Sequence, residues 1–345
     1  MTGKLEKVLL PNSLGYRHLV SPDYYLASPD SKALGLYELS SGKRLTAAAS
    51  QNSVVFSKDP SIYVLTSGSS TQMPYTTVHK ADGTFIGELP SVAESPGFVP
   101  DVQFEDSAAI VRPKDFVAQK RYPVLVDVYG GPGHNHVVMN MRNWLVDQWL
   151  ANQGFIVVAI ENRGTPGRGH AWERAIYKNF GLTLEDQVLG LQALGKKFPE
   201  LDLNRVGIFG WSFGGYLSAL AVLKRPDIFK AAVAGAPVTD WEDYDTHYTE
   251  RYLGMPKDNP QAYQEASLLT YADKLERPLL LVHGTNDDNV YFRHSLKLAD
   301  ALIRSGKKFE LLPLVGQTHM LSDPVLIQQF WMRLLQFFQE NLLSK

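Results

Sequence analysis

Cysteine is absent from this 345-residue chain. Its absence excludes disulfides, thiolate metal sites and a cysteine nucleophile together, and leaves the redox compartment open, because a cysteine-free chain persists in either. Any side-chain nucleophile must be Ser, Thr, Lys or a carboxylate. Charge imbalance is also missing: 34 Lys and Arg stand against 36 Asp and Glu, with no long block of either sign. No electrostatic footprint for nucleic acid or a membrane surface results. The N-terminus lacks a long apolar run; charges flank Leu5, and Val8 to Leu10 is too short for a signal-peptide core or a membrane span. As written the chain is expected to be cytoplasmic, an inference that a missing upstream segment would cancel.

Apolar residues are plentiful, at 44%, enough for one large α/β domain and a smaller piece. Up to Val111 short alternating runs are punctuated by turn residues, and the Asp-Gly of "ADGT" between "TTVH" and "FIGEL" signals a hairpin. Residues 1–111 therefore read as a short all-β segment with too few strands to close a barrel or propeller. Residues 112–345 change pattern. Solid apolar runs ("YPVLVDVYGG", "FIVVAIENRG", "RVGIFGWS", "AAVAGAP", "PLLLVHGTND", "FELLPLVG") alternate with amphipathic stretches, which implies a mostly parallel sheet wrapped by helices, with functional residues at strand C-terminal ends.

One such end is "GWSFG", Gly210 to Gly214, between a strand and a helical run. It fits the G-x-S-x-G nucleophile elbow of an α/β-hydrolase, in which Ser212 occupies a strained turn and flanking glycines let strand and helix approach. A serine hydroxyl needs a base, and the base needs an orienting acid. Later strand ends offer both in the order Ser, Asp, His: "TNDDNV" carries Asp287 and Asp288, and "QTHML" carries His319. Asp287, the first acid after the strand turn, is favoured over Asp288. One oxyanion donor in this fold is the N–H of Phe213, the residue after the nucleophile. The second belongs to the loop "DVYGGPG", as a backbone amide or the Tyr129 phenol. A metal at His134 and His136, or at His283 with Asp287 and Asp288, is the less favoured reading, and "YGGPG" lacks the spacing of a phosphate loop. Neither metal nor cofactor is expected. Of the remaining histidines, His294 and His170 are expected on helical or loop surfaces. Trp241, Tyr244, Tyr248 and Tyr252 recur at helical spacing, as a helix packed on the core or as an aromatic cap over the nucleophile.

With "GWSFGGY", "DVYGGPG", "VTDWEDYDTHYTERYLG" and "HGTNDDNV" in order, residues 100–345 resemble the dipeptidyl peptidase IV branch of the prolyl oligopeptidase family of serine peptidases. The resemblance implies Ser212 as nucleophile, Asp287 as acid, His319 as base and the Tyr129 hydroxyl as second oxyanion donor. It maps a proline-sized pocket onto Phe213, Val238, Trp241, Tyr244, Tyr248, Asn289 and Val290. It implies a peptide substrate cut after proline or a small residue, and leaves a homodimer open. A broad esterase or aminoacyl peptidase, or a truncated non-catalytic module, are the alternatives. Two departures stand out. Only about 110 residues precede the hydrolase part where the family carries a whole β-propeller, so the all-β segment resembles part of one. The adjacent glutamates that grip a substrate amino terminus in this branch have no counterpart, since no Glu-Glu pair occurs in the chain.

Overall fold

Alternating, turn-punctuated sequence gives antiparallel sheets, and solid apolar runs separated by amphipathic ones give a parallel sheet; both occur here. The computed structural model describes residues 16–28 and 31–343. The N-terminal stretch read for targeting signals lies outside them. The chain divides into two compact units: one holds the residues through Val102 with Val137–Gln148 and Pro166–His170, the other Gln103–His136, Trp149–Thr165 and Ala171–Lys345.

In the first unit, β1 (Tyr16–Leu19), β2 (Tyr24–Ser28) and β3 (Gly35–Glu38) form one antiparallel sheet, and β4 (Gln51–Phe56), β5 (Ile62–Gly68), β6 (Tyr75–Lys80) and β7 (Phe85–Leu89) form another. The Asp-Gly turn joins β6 to β7. Gly83 takes φ 86°, and the Thr84 N–H is accepted by the Asp82 carboxylate at 2.9 Å, the local bond that lets Asp close a tight hairpin. Tyr25 stacks on Tyr37 with centroids 5.2 Å apart, while Tyr63 is buried with Leu26 and Leu36.

The second unit is built on eight strands: β8 (Val102–Phe104), β9 (Ala108–Val111), β10 (Tyr122–Asp127), β11 (Ile156–Ile160), β12 (Leu201–Trp211), β13 (Phe229–Gly235), β14 (Leu279–Gly284) and β15 (Glu310–Leu314). Their order is β15-β14-β13-β12-β10-β11-β9-β8. Every pairing from β11 across to β15 is parallel, and β9 runs antiparallel to β11. This is the α/β-hydrolase sheet that the sequence predicts. β9, the solid apolar run Ala-Ala-Ile-Val, is buried on both faces and pairs antiparallel with β11, so it belongs to this sheet.

The helices in chain order are α1 (Leu145–Ala151), α2 (His170–Arg174), α3 (Gly181–Lys197), α4 (Phe213–Lys224), α5 (Thr246–Leu253), α6 (Pro260–Ala266), α7 (Arg293–Arg304) and α8 (Pro324–Phe338). Among the described residues no helix is long and apolar enough to cross a membrane. The chain leaves β10 for β11 on one side and returns to β12 on the other. Such a reversal opens a crevice at the strand C-terminal ends, here between Tyr129 after β10 and Ser212 after β12.

The aromatic insertion departs from the sequence expectation of one helix. Residues Trp241–Asp243 form a 3₁₀ turn, the chain extends at Tyr244, and α5 follows. Asp245 accepts the His247 N–H at 2.8 Å, so this acid starts a new helix. Only Tyr248 and Tyr252 share a helical face.

Candidate active site

Ser212 sits at φ 61°, ψ −117°, between β12 and α4. A non-glycine residue in such a conformation carries roughly 1–3 kcal/mol of strain, which the surroundings hold in place. A Cβ on Gly210 would lie 2.1 Å from Val128 O, one on Gly214 2.0 Å from the same oxygen, and one on Gly215 2.1 Å from Gly235 O. The Ser212 N–H donates to Gly235 O at 2.8 Å. The hydroxyl does not cap α4, so it is left for other chemistry. The Phe213 N–H opens α4 and has no intrahelical acceptor.

His319 follows β15, and its Nδ1 lies 2.8 Å from Asp287 Oδ2. A carboxylate only accepts, so Nδ1 bears the proton and Nε2 keeps its lone pair. The two loops are stitched together: Asn286 N–H donates to Gln317 O at 3.0 Å, and Gly316 N–H to Thr285 Oγ1 at 2.8 Å. Trp211 adds a direct link, its indole N–H donating to His319 O at 2.8 Å. Of the two candidate acids, Asp287 is buried and Asp288 is exposed. Burial pushes the Asp287 carboxyl up, but hydrogen bonds from His283, His319 and the Asn289 N–H outweigh it and hold the group well below the usual carboxylate range.

Ser212, His319, Tyr129, Phe213, Val238, Trp241, Tyr244, Tyr248 and Asn289 line one cavity of about 400 Å³. Among the described residues the Ser212 hydroxyl has no hydrogen-bond partner within 3.5 Å; its bond to His319 is the contact of this set left unmade, and in unliganded sites such contacts commonly close with substrate. Val290 does not line the cavity. Fully buried, it donates its N–H to Asp287 Oδ1 at 2.8 Å. The walls are aromatic: Trp241 and Tyr248 are near-parallel, 14° apart with centroids at 6.2 Å, and Tyr244 meets both edge-on. The Tyr244 hydroxyl donates to Asn289 Oδ1 at 3.2 Å. Burial, then the neighbouring Tyr244 and Tyr252, push the Tyr129 phenol up, so it stays a proton donor near neutrality.

Several contributors escape a reading by motif. Trp211 and Met320 are two, both lining the cavity; His134 lines it too, in keeping with its place after the glycine loop, and its ring meets Tyr129 edge-on at 5.0 Å. His136 Nε2 lies 2.9 Å from Asp127, and the His136 N–H donates to Glu161 Oε1 at 2.6 Å, so Glu161 braces the glycine loop. His294 is fully buried rather than on a helix surface, because α7 turns it inward to accept the Thr239 N–H on Nδ1 at 3.2 Å. Lys297, one turn on, donates to Asp240 and Asp243, both at 2.6 Å. The aromatic wall is thus fastened to the helix that follows the Asp287 loop.

An open parallel sheet with a strained serine elbow on one strand end and an acid–histidine pair on two later ones defines an α/β-hydrolase. The prolyl oligopeptidase family model matches residues 142–345, more than half of the chain. The chain belongs to the prolyl oligopeptidase family, in its dipeptidyl peptidase IV branch. It is 39% identical over 282 residues to dipeptidyl peptidase 8 of Mus musculus, a match covering 78% of this chain and 32% of that protein. Prolyl endopeptidase FAP of Homo sapiens is 36% identical over 222 residues, covering 62% of this chain and 28% of that one. The crystal structure of Porphyromonas gingivalis dipeptidyl peptidase 4 superposes with a TM-score of 0.85 at 27% identity, over 98% of this chain and 51% of that chain. The chain thus spans about a third of the curated relatives it matches and about half of that solved one.

Proposed function

We propose that this chain is a serine peptidase that cleaves peptide bonds after proline or a similarly small residue. The observation that carries the reading is the Asp287–His319 hydrogen bond at 2.8 Å beside a strained, uncapped Ser212 in one cavity. Ser212 attacks the carbonyl carbon while His319 Nε2 takes its proton. The tetrahedral oxyanion is held by the Phe213 N–H and the Tyr129 hydroxyl. His319 returns the proton to the leaving amine, and water then resolves the acyl-enzyme by the same exchange. Asp287 fixes the tautomer and stabilises the imidazolium.

The Trp241, Tyr244 and Tyr248 walls favour a flat apolar ring. A prolyl residue brings no N–H into that slot, so nothing polar is stranded on binding. The peptide is the one partner this mechanism needs; no metal takes part in any step.

A fluorophosphonate probe should label wild-type protein on Ser212 and leave Ser212→Ala unlabelled; equal labelling of both overturns the assignment. Gly-Pro, Ala-Ala and succinylated Gly-Pro anilides, compared with a short-chain nitrophenyl ester, test the substrate. Ester turnover exceeding every anilide by orders of magnitude would replace the peptidase with an esterase.

A further inference from the structure

Asp287 is held by two histidines, and the peptidase reading employs one of them. The second is His283, the next-to-last residue of β14, fully buried. Its Nε2 lies 2.7 Å from Val290 O and 3.3 Å from Asp287 Oδ2, the same oxygen that His319 engages. Its Nδ1 lies 2.8 Å from Ser295 Oγ. A backbone carbonyl only accepts, so Nε2 carries the proton; in the neutral ring Nδ1 is then the acceptor, and the Ser295 hydroxyl donates to it. Ser295, also fully buried, therefore locks the tautomer whose Nε2–H is shared between Val290 O at 2.7 Å and, at the longer 3.3 Å, Asp287 Oδ2.

The contacts close a ring. Asp287 Oδ1 accepts the N–H groups of Val290 at 2.8 Å and Asn289 at 3.0 Å. Val290 O accepts from His283, and His283 reaches back to Oδ2. Ser295, His283 and Asp287 thus repeat the residue types of a catalytic triad, with no exposed hydroxyl and with the imidazole turned end for end. No substrate reaches Ser295, so this set has no hydrolytic use of its own.

We infer that His283 is a positioning residue that sets how much of the Asp287 charge His319 receives. The inference rests on the peptidase reading above. A neutral imidazole suits the task because it donates without adding a positive charge that would compete with the imidazolium forming on His319. A lysine at this position would compete. The titratable groups facing Asp287 are His283 from β14, His319 from the loop after β15 and Tyr244 from the aromatic insertion; His294 of α7 faces His283. With the His283 donor removed, Oδ2 has only His319 to satisfy it. The carboxylate then draws the His319 proton more strongly, so the base is freed at a higher pH.

The test is the rate of fluorophosphonate labelling of Ser212 from about pH 5 to about pH 9 in wild type, His283→Leu, His283→Gln and Ser295→Ala, each checked by thermal melting. In His283→Leu the acid limb should move up by about one pH unit, slowing labelling about tenfold below it. His283→Gln, whose amide donates from near the Nε2 position, should return the limb towards wild type. Ser295→Ala, a smaller change that tests the idea even if the Leu variant does not fold, should shift the limb in the same direction by about half as much. Variant limbs that coincide with wild type after scaling, or a Gln variant displaced as far as Leu, overturn the inference while the peptidase reading stands. An unlabelled wild-type Ser212 overturns both.

Discussion

Trp211 donates its indole N–H to the carbonyl oxygen of His319 at 2.8 Å, so the residue before Ser212 holds the loop that carries His319. Their separation is set by a hydrogen bond and not only by the distance between strand ends. Trp211→Phe keeps an aromatic ring but removes the donor. It should lower kcat about tenfold with little change in KM, measured on a prolyl anilide, with an unaltered circular dichroism spectrum.

The strain at Ser212 predicts a trade between stability and reactivity. Glycine accepts φ 61° without the Cβ penalty. Ser212→Gly should therefore be more stable than Ser212→Ala by about 1 kcal/mol, read from urea midpoints, while neither variant turns over substrate.

Tyr129 provides a second kinetic test. Its phenol is pushed up by burial and so stays a proton donor near neutrality. If it meets the oxyanion, Tyr129→Phe should lose about 100-fold in kcat with KM nearly unchanged. An equal rise in KM at constant kcat would assign the ring to ground-state binding instead.

His294 predicts an acid-sensitive fold. Burial drives its imidazole down to about 4 from 6.5, against the pull of Asp243. Between those values the unfolded chain holds more protons than the folded one, so stability is lost as pH falls from about 6.5 to about 4. The loss should be on the order of 3 kcal/mol. His294→Asn keeps an acceptor for the Thr239 N–H and cannot ionise. Urea titrations at several pH values should show its stability changing less across that window than wild type.

Much of the architecture is legible in the sequence because burial on both faces leaves an unbroken apolar run, as in "FIVVAI" and "PLLLVHG". The hairpin at Asp82-Gly83 is legible because its turn chemistry is local. The membership of β8 and β9 in the large sheet is not, since pairing partners are a non-local property. Helical spacing across Trp241 to Tyr252 suggested one helix, and the cap at Asp245 breaks it; a single acid among several gives no warning of that. At the site, Ser212, Asp287 and His319 could be named because each ends a recognisable strand. Trp211, His283 and Ser295 could not be given supporting parts, because their contacts depend on where two loops meet after folding.

The first amides of α4 point past Ser212 with no internal acceptor, and the twelve-residue helix behind them adds a standing partial charge of about half a unit. That field is made of backbone, so it is in place before any substrate arrives and no side-chain substitution erases it. A chain stripped of His319 would keep that field, which favours negative charge at one point in space. The field beside Ser212 is therefore a property of the fold and not of any one side chain.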